Sequence, residues 1–122
     1  MQDTPKNFHK KLLGSVGEKK AKKYLVKNGY KILDVNYKTK IGEIDIVFKD
    51  KDAIVFAEVK CRSNENYGYP SDAVNFYKQR KYKKVAEEYL LYKFQTVEVS
   101  CRFDVIEVIG DKINHIINAF CF

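Results

Sequence analysis

The sequence predicts one α/β domain in which two helices cover a mixed β-sheet, with the elements in the order α-β-β-β-α-β-β. Apolar residues recur at intervals of three and four in two segments, which is typical of helices. In the segments that follow each of them, apolar and polar residues alternate, as in strands. With 122 residues, 45% of them apolar, the chain can bury one core but not two, so residues 1–122 are treated as one domain.

The first helix is predicted from residue 8 to residue 28, where Asn28-Gly29 provides a stop. Glu18 lies at the edge of its apolar stripe rather than opposite it. Its carboxylate can therefore point into a site.

Three strands follow, at residues 30–37, 43–48 and 53–60. The connection at residues 49–52 is short, which favours a hairpin between the second and third strands.

Residues 63–70 show no apolar period and are predicted as a loop. Ser71 can cap a second helix, which ends near Lys93. Its apolar stripe consists of Val74, Tyr77, Tyr82 or Lys81, Val85, Ala86, Tyr89 and Leu90. Strands at residues 97–109 and 112–117 form a second hairpin, and the apolar residues after it are expected to pack back on the domain.

Charged residues interrupt the apolar strands of the first hairpin at Glu43, Asp45, Glu58 and Lys60. Acids within such strands cost free energy unless they are paired, solvated or bound to metal. A register in which paired residue numbers sum to 103 places Asp45 opposite Glu58 and Glu43 opposite Lys60, all on one face. The other face is then wholly apolar, with Ile44, Ile46 and Phe48 against Val59, Ala57 and Val55.

Two opposed carboxylates with β-carbons about 5 Å apart can bind one divalent cation, and oxygen ligands favour Mg²⁺ or Mn²⁺. Lys60 returns to the same face and can hold a water or stabilise the phosphate during attack, as in a phosphodiester hydrolase. Glu18 can add a third carboxylate, and Gln79 on the second helix can bind phosphate or position Lys60. The alternative is that these side chains form ordinary ion pairs and surface contacts.

Positive charge is concentrated on the two helices, and the formal net charge is +7. The candidate phosphate-binding residues are Lys10, Lys11, Lys19, Lys22, Lys23, Arg62, Lys78 and Lys81. This distribution favours nucleic acid, DNA first, as the partner. The alternative is a lysine-rich surface that keeps the protein in solution.

The cysteines Cys61, Cys101 and Cys121 form no CxxC pair, so no zinc site is expected. No apolar run approaches the roughly 18 residues that cross a bilayer, and no signal peptide is visible. We expect a cytoplasmic protein with no membrane partner and no small-molecule organic cofactor.

Three short motifs combine in this chain: Gly17-Glu18 on a basic helix, Gly42-Glu43-Ile44-Asp45, and Glu58-Val59-Lys60. Together they resemble the PD-(D/E)XK nuclease superfamily. E-x-K alone is common in strands, but its combination with G-E-I-D, in which Glu58 follows Asp45 by thirteen residues, is much more specific. The proline of the superfamily's name is absent, as in its resolvase-like branch.

More closely, the chain resembles the YraN-like family of proposed endonucleases, which is similar to archaeal Holliday-junction resolvases. The match continues through Tyr67-Gly68, Pro70, Asp72-Ala73-Val74, Lys78-Gln79, Lys81 and Arg102-Phe103-Asp104-Val105.

The resemblance implies a restriction-endonuclease-like fold, Mg²⁺ or Mn²⁺ as cofactor and, by analogy with resolvases, a homodimer. It also implies Asp45 and Glu58 as metal-binding acids, Lys60 as the catalytic lysine, Glu18 as the helical acid and Gln79 as a glutamine near the site.

We therefore expect a metal-dependent endonuclease that hydrolyses phosphodiester bonds in structured or branched DNA. One alternative is a non-catalytic nucleic-acid-binding module with the same fold that acts with a DNA-processing partner. Another is a structural adaptor that uses the apolar residues 120–122 as a partner surface.

Overall fold

The computed structural model describes residues 5–62 and 76–120, with side chains from residue 15 onward. Its elements are α1 (Pro5–Lys27), β1 (Lys31–Lys38), β2 (Glu43–Asp50), β3 (Ala53–Arg62), α2 (Phe76–Phe94), β4 (Cys101–Ile109) and β5 (Lys112–Phe120). Two helices and a mixed five-stranded sheet confirm the predicted α/β class. The predicted loop at residues 63–70 and the cap at Ser71 lie outside the described residues.

The strands stand side by side in the order β1-β2-β3-β4-β5. Neighbours are antiparallel except β3 and β4, which are parallel. Parallel neighbours need a crossover between their ends, and α2 lies within that connection. Within the described residues, β1 and β5 form the two edges of the sheet.

Two hydrophobic cores lie on opposite faces of the sheet. Because side chains alternate along a strand, successive residues of β3 belong to different cores. Ile54 and Phe56 pack in one core, and Val55 and Ala57 pack in the other. The core on the α1 face contains Ala21, Leu25, Ile46, Phe48, Val55, Ala57, Ile106 and Val108. The core on the α2 face contains Ile44, Val47, Ile54, Phe56, Val85, Ala86, Tyr89, Leu90, Phe103, Val105 and Phe120.

Helix α1 packs very closely on β3 at Gly17 and Cys61. A β-carbon built at Gly17 would lie 1.8 Å from Sγ of Cys61, so a residue with a side chain cannot take this position without movement. The contact sets the distance between α1 and the sheet. It also places Glu18, the next residue, close to β3.

The predicted hairpin register is confirmed where β2 and β3 pair. Partners from Ile46↔Ala57 to Asp50↔Ala53 all sum to 103. The pairing of β2 with β3 ends at Ile46 and does not include the predicted pair Asp45↔Glu58. The Asp45 side chain instead accepts a hydrogen bond from the N–H of Val59 (2.8 Å).

Two further details of the predicted hairpin are wrong. Glu43 does not face Lys60: it forms an ion pair with Lys38 (3.6 Å) across β1, while Lys60 pairs with Glu58 (3.4 Å). Ile44 packs with the α2-face core rather than with its predicted neighbours.

The position of Ile44 follows from a local rotation of β1 and β2. Asn36, which lies between the pairs Val35↔Ile46 and Tyr37↔Ile44, has a φ of 50°. A left-handed residue breaks the simple alternation of a strand, so Tyr37 and Ile44 both turn toward α2.

The predicted fourth strand begins too early. β4 starts at Cys101 and not at Val97, because β3 offers its first parallel partner, Ile54, at Cys101. β5 extends to Phe120, which is buried, so the apolar segment after residue 117 packs back as far as it is described. No helix in the described residues is long and apolar enough to cross a membrane.

Candidate functional site

An open cleft of about 400 Å³ lies between the β2–β3 hairpin and the first turns of α2. Its lining consists of Ile41, Gly42, Glu43, Asp45, Glu58, Tyr77, Lys78, Lys81 and Tyr82. We call it the acidic cleft. The two acids at the centre of the sequence prediction, Asp45 and Glu58, thus face one cavity, together with two predicted phosphate-binding lysines.

Asp45 stands where β2 stops pairing with β3. Burial, together with the charges of Glu58, Glu18 and Glu43, raises its pKa to about 6, against the opposing effect of the hydrogen bond from Val59. The ionised carboxylate therefore lacks sufficient positive charge around it, a situation that a bound cation relieves.

Glu58 has one engaged and one unengaged oxygen. Its Oε1 lies 3.4 Å from Nζ of Lys60, and its side chain is only 11% exposed. Its Oε2 is buried and has no hydrogen-bond partner among the described residues. A buried acceptor without a partner costs about 1–3 kcal/mol, so this atom is well suited to serve as a ligand.

Tyr82 holds Glu58 from the side of α2. Burial raises the pKa of its phenol, and so does Glu58, which accepts a hydrogen bond from the hydroxyl. The ring stacks on Phe120 with centroids 6.1 Å apart. The sequence prediction placed Tyr82 only in an apolar stripe; the signal available was that a buried tyrosine hydroxyl needs a partner.

Glu18 acts on the site without lining it. Its charge raises the pKa of Asp45, and it also raises the pKa of Cys61, where burial is the larger cause. Among the described side chains, no group of three or more histidine, cysteine or acidic residues is arranged to hold a metal. Glu18 is therefore not assembled with Asp45 and Glu58 as a ready third ligand.

The remaining pair of acids still fits one small divalent cation. Mg²⁺ binds through one or two carboxylates and keeps several waters or phosphate oxygens as its other ligands. Asp45 supplies an under-compensated carboxylate and Glu58 a buried oxygen without a partner. The donor set is oxygen only, which matches Mg²⁺ or Mn²⁺.

The predicted basic residues fall on different surfaces. Lys78 and Lys81 line the acidic cleft, whereas α1, with Lys19, Lys22 and Lys23, packs on the opposite face of the sheet. The side chains of Lys10 and Lys11 lie outside the described residues. Gln79 is on α2 beside Lys78 but does not line the cleft.

Arg62 is engaged inside the fold. Its guanidinium pairs with the buried Glu107, whose other contact is a 3.4 Å hydrogen bond from Asn114. Only 13% of the Arg62 side chain is exposed, so little of it is open to solvent. The sequence prediction did not include Glu107, because an acid flanked by apolar strand residues does not reveal its partner.

A second polar network was also missed. Asp104, fully buried, accepts hydrogen bonds from Arg102 (2.9 Å) and from the N–H of Asn118 (2.9 Å), and its Oδ2 lies 2.7 Å from Nε2 of His115. Arg102 also donates to Asp50 (2.8 Å).

The same network reaches α1 through His115. Its Nδ1 shares a 2.9 Å hydrogen bond with the hydroxyl of Tyr24. The network therefore joins α1, β2, β4 and β5. None of its residues lines the acidic cleft, although Asp104 lines a smaller pocket together with Glu58 and Tyr82.

Comparisons with known proteins point to one family. The model of the family described as "Uncharacterised protein family UPF0102" matches residues 17–108. The chain is 49% identical over 122 residues to a UPF0102 protein of Caldanaerobacter subterraneus subsp. tengcongensis, covering 94% of this chain and 99% of that protein. It is 50% identical over 114 residues to a UPF0102 protein of Clostridium beijerinckii, covering 88% of this chain and 92% of that protein. The matched segment includes every residue from Glu18 to Lys60 that the site uses.

Proposed function

The chain belongs to the UPF0102 family, the YraN-like family that its motifs resemble, and we propose that it is a metal-dependent endonuclease acting on DNA. The proposal includes the restriction-endonuclease-like fold of the PD-(D/E)XK superfamily. One observation carries it: Asp45 and Glu58 face the same cleft, and Lys60 lies 3.4 Å from Glu58.

Asp45 and Glu58 are the residues that would hold Mg²⁺ or Mn²⁺. When bound, such a cation supplies positive charge to the phosphate and a more acidic water for the attack. The two carboxylates reach the cleft from adjacent strands, and each already has a restraint. Val59 fixes Asp45 through its N–H, and Tyr82 fixes Glu58 through its hydroxyl.

Lys60 is the residue that would stabilise the charge developing on the phosphate. It is two residues after Glu58 on β3, and strand alternation returns it to the same face. Its side chain is 29% exposed, so the ammonium can reach both Glu58 and a bound phosphate. Water attacks directly in this scheme, without a covalent intermediate.

Lys78 and Lys81 would hold the DNA backbone at the rim of the cleft. Phosphate contacts of this kind depend strongly on salt and carry no sequence information. Selection would therefore act on the shape of the DNA.

The test is a cleavage screen over labelled junction, flap, single-stranded and duplex DNA with Mg²⁺ or Mn²⁺. We expect the wild type to cut at least one substrate, and Asp45→Asn and Lys60→Ala to lose cutting while still binding DNA, because the lysines at the rim remain. Asp52→Asn and Lys51→Ala are matched controls, since both residues are exposed in the turn at the other end of the same hairpin. A wild type that leaves every substrate intact with both metals contradicts the proposal.

The second candidate function is a binding module that holds structured nucleic acid without cutting it. The 3.4 Å pair between Lys60 and Glu58 favours it, because the lysine already neutralises one of the two acids. Titration with Mn²⁺ separates the two functions. An enzyme binds Mn²⁺ and loses this affinity in Asp45→Asn and Glu58→Gln. A pure binder has salt-sensitive DNA affinity but no Mn²⁺ affinity that depends on either acid.

A further inference from the structure

We infer that the acidic cleft receives an unpaired nucleotide of a single-stranded DNA segment, with the base stacked on Tyr77 and the phosphate at Lys78 and Lys81. The inference rests on the proposed function and specifies its substrate class. It makes unpaired DNA, rather than intact duplex, the form that enters the site.

Tyr77 is the first observation behind this inference. It lines the cleft, yet it is 67% exposed and belongs to neither hydrophobic core. The sequence prediction that counted it in the apolar stripe of α2 is therefore wrong. The helix packs through Val85, Ala86, Tyr89 and Leu90, further along the chain. An aromatic ring left open at the rim of a polar cleft offers a flat surface for stacking.

The charges around Tyr77 complete a nucleotide site. Nζ of Lys81 lies over one face of the Tyr77 ring, 4.7 Å from its centroid, so a base would stack on the other face, and Lys78 lines the same cleft. The acids stand on the strand side of the cleft. The ring can therefore stack on a base, the lysines can bind a phosphate, and the acids can bind a cation held by that phosphate.

The dimensions favour one nucleotide over a duplex. About 400 Å³ is the size of a site for one small ligand, whereas a duplex requires a long groove. Base faces inside a duplex are covered by their neighbours, so a tyrosine ring can stack only on a base that is unpaired or extruded.

The helix itself provides a matched control. Tyr92 is also on α2, is 68% exposed and has Nζ of Lys93 5.4 Å from its ring centroid. It differs from Tyr77 in lying outside the cleft lining. A general effect of exposed tyrosines on DNA affinity would therefore be the same for both residues.

The experiment measures binding of labelled dT12 and of a 12-base-pair duplex by fluorescence anisotropy, with Ca²⁺ and with the DNA checked for integrity. We expect Tyr77→Ala to weaken dT12 binding by about 5- to 150-fold, the effect of losing one stacked base. Tyr77→Phe keeps the ring and should bind like the wild type, and so should Tyr92→Ala. Duplex affinity should be the same in all four proteins.

A fully abasic 12-mer separates stacking from phosphate contact. The wild type should bind it as weakly as Tyr77→Ala binds dT12, and Tyr77→Ala should cause no further loss. Equal weakening of dT12 and the abasic strand by Tyr77→Ala overturns the inference, as does an equal loss in Tyr92→Ala or no loss in Tyr77→Ala.

Cutting is scored separately from binding. If the wild type cuts DNA and Tyr77→Ala binds and cuts unpaired DNA equally well, the inference fails and the proposed function stands. If dT12 binding depends on Tyr77 but no substrate is cut, the stacking site stands and the proposed hydrolysis fails.

Discussion

Asp45 carries a cost in the fold that its proposed role explains. Its carboxyl has a pKa of about 6, raised from 3.8 by burial first and then by three acidic neighbours. Between these two values the folded protein binds more protons at Asp45 than the unfolded chain does. The free energy of unfolding therefore falls as the pH rises through this range.

Asp45→Asn should consequently stabilise the metal-free protein. The amide can still accept the hydrogen bond from Val59, and the buried charge is removed. We expect a gain of about 1–3 kcal/mol near pH 8 and a smaller gain near pH 4.5, where the wild-type carboxyl is already protonated.

Urea unfolding in EDTA at the two pH values measures this gain. Asp52→Asn, in the exposed turn between β2 and β3, is the control and should change nothing. A gain that is the same at both pH values would show that the charge of Asp45 is not the cause.

At the scale of elements, the position of α1 depends on one glycine. Gly17 lies so close to β3 that its missing β-carbon would overlap Sγ of Cys61. Because Glu18 follows directly, the same contact sets the distance between the helical acid and Asp45. The packing of a helix on a strand is thus coupled to the electrostatics of the site.

Gly17→Ala should lower the free energy of unfolding by about 1–3 kcal/mol, the usual cost of overpacking. Adding Cys61→Ala removes the overlapping sulfur and leaves Cβ of residue 61 at 3.4 Å, so the double variant should recover much of that loss. Gly42→Ala is the matched control, since its nearest neighbour, Cγ2 of Val85, would be 3.6 Å away. Chemical denaturation of the wild type, Gly17→Ala, Cys61→Ala and the double variant checks the cycle, and additive losses in the double variant would refute the steric explanation.

The alternation of apolar and charged residues was sufficient to predict the strands of the first hairpin and its odd register from Ile46 to Asp50. Side chains alternate between the two faces of a strand, so the order of residues within the hairpin is enough to determine these features. The left-handed turn of β1 at Asn36 and the start of β4 at Cys101 were not predictable in this way. They depend on how neighbouring strands twist and where they end, which is tertiary information.

The same limit applies to the site. The acids and Lys60 were found because charges in apolar strands are unusual. Tyr77 and Tyr82 were not separable by sequence, since both fall in the apolar stripe of one helix. The fold gives Tyr82 a buried carboxylate partner and leaves Tyr77 exposed.

At the scale of the whole molecule, the network around Asp104 adds polar contacts between α1, β2, β4 and β5, elements that also contribute to the two cores. Burial alone would raise the pKa of Asp104, but hydrogen bonds from His115, Arg102 and the N–H of Asn118 outweigh it and lower the pKa. A lowered pKa stabilises the fold above the unfolded-state value and loses this effect as the pH falls through the folded-state value.

Asp104→Ala should therefore be strongly destabilising near neutral pH. It leaves Arg102 and His115, whose side chains are only 18% and 5% exposed, without their shared partner, a loss of about 3–5 kcal/mol in the free energy of unfolding. The deficit relative to wild type should shrink as the pH falls below the ordinary aspartate value toward the lowered pKa of Asp104, where the wild-type carboxyl also becomes protonated.

Thermal and urea unfolding across this pH range measure the deficit. Asp111→Asn is the comparison, because Asp111 pairs with Lys20 at 3.2 Å but is fully exposed, and we expect no measurable change. A deficit for Asp104→Ala no larger than that of Asp111→Asn would mean that the network does not hold the elements together.

The most direct test of the central claim is the position of Mn²⁺ in a crystal of the wild type, located by its anomalous scattering. We predict one strong peak within ligand distance of carboxylate oxygens of both Asp45 and Glu58, and its loss in Glu58→Gln. A peak bound by other residues, or one that persists unchanged in Glu58→Gln, would contradict the account.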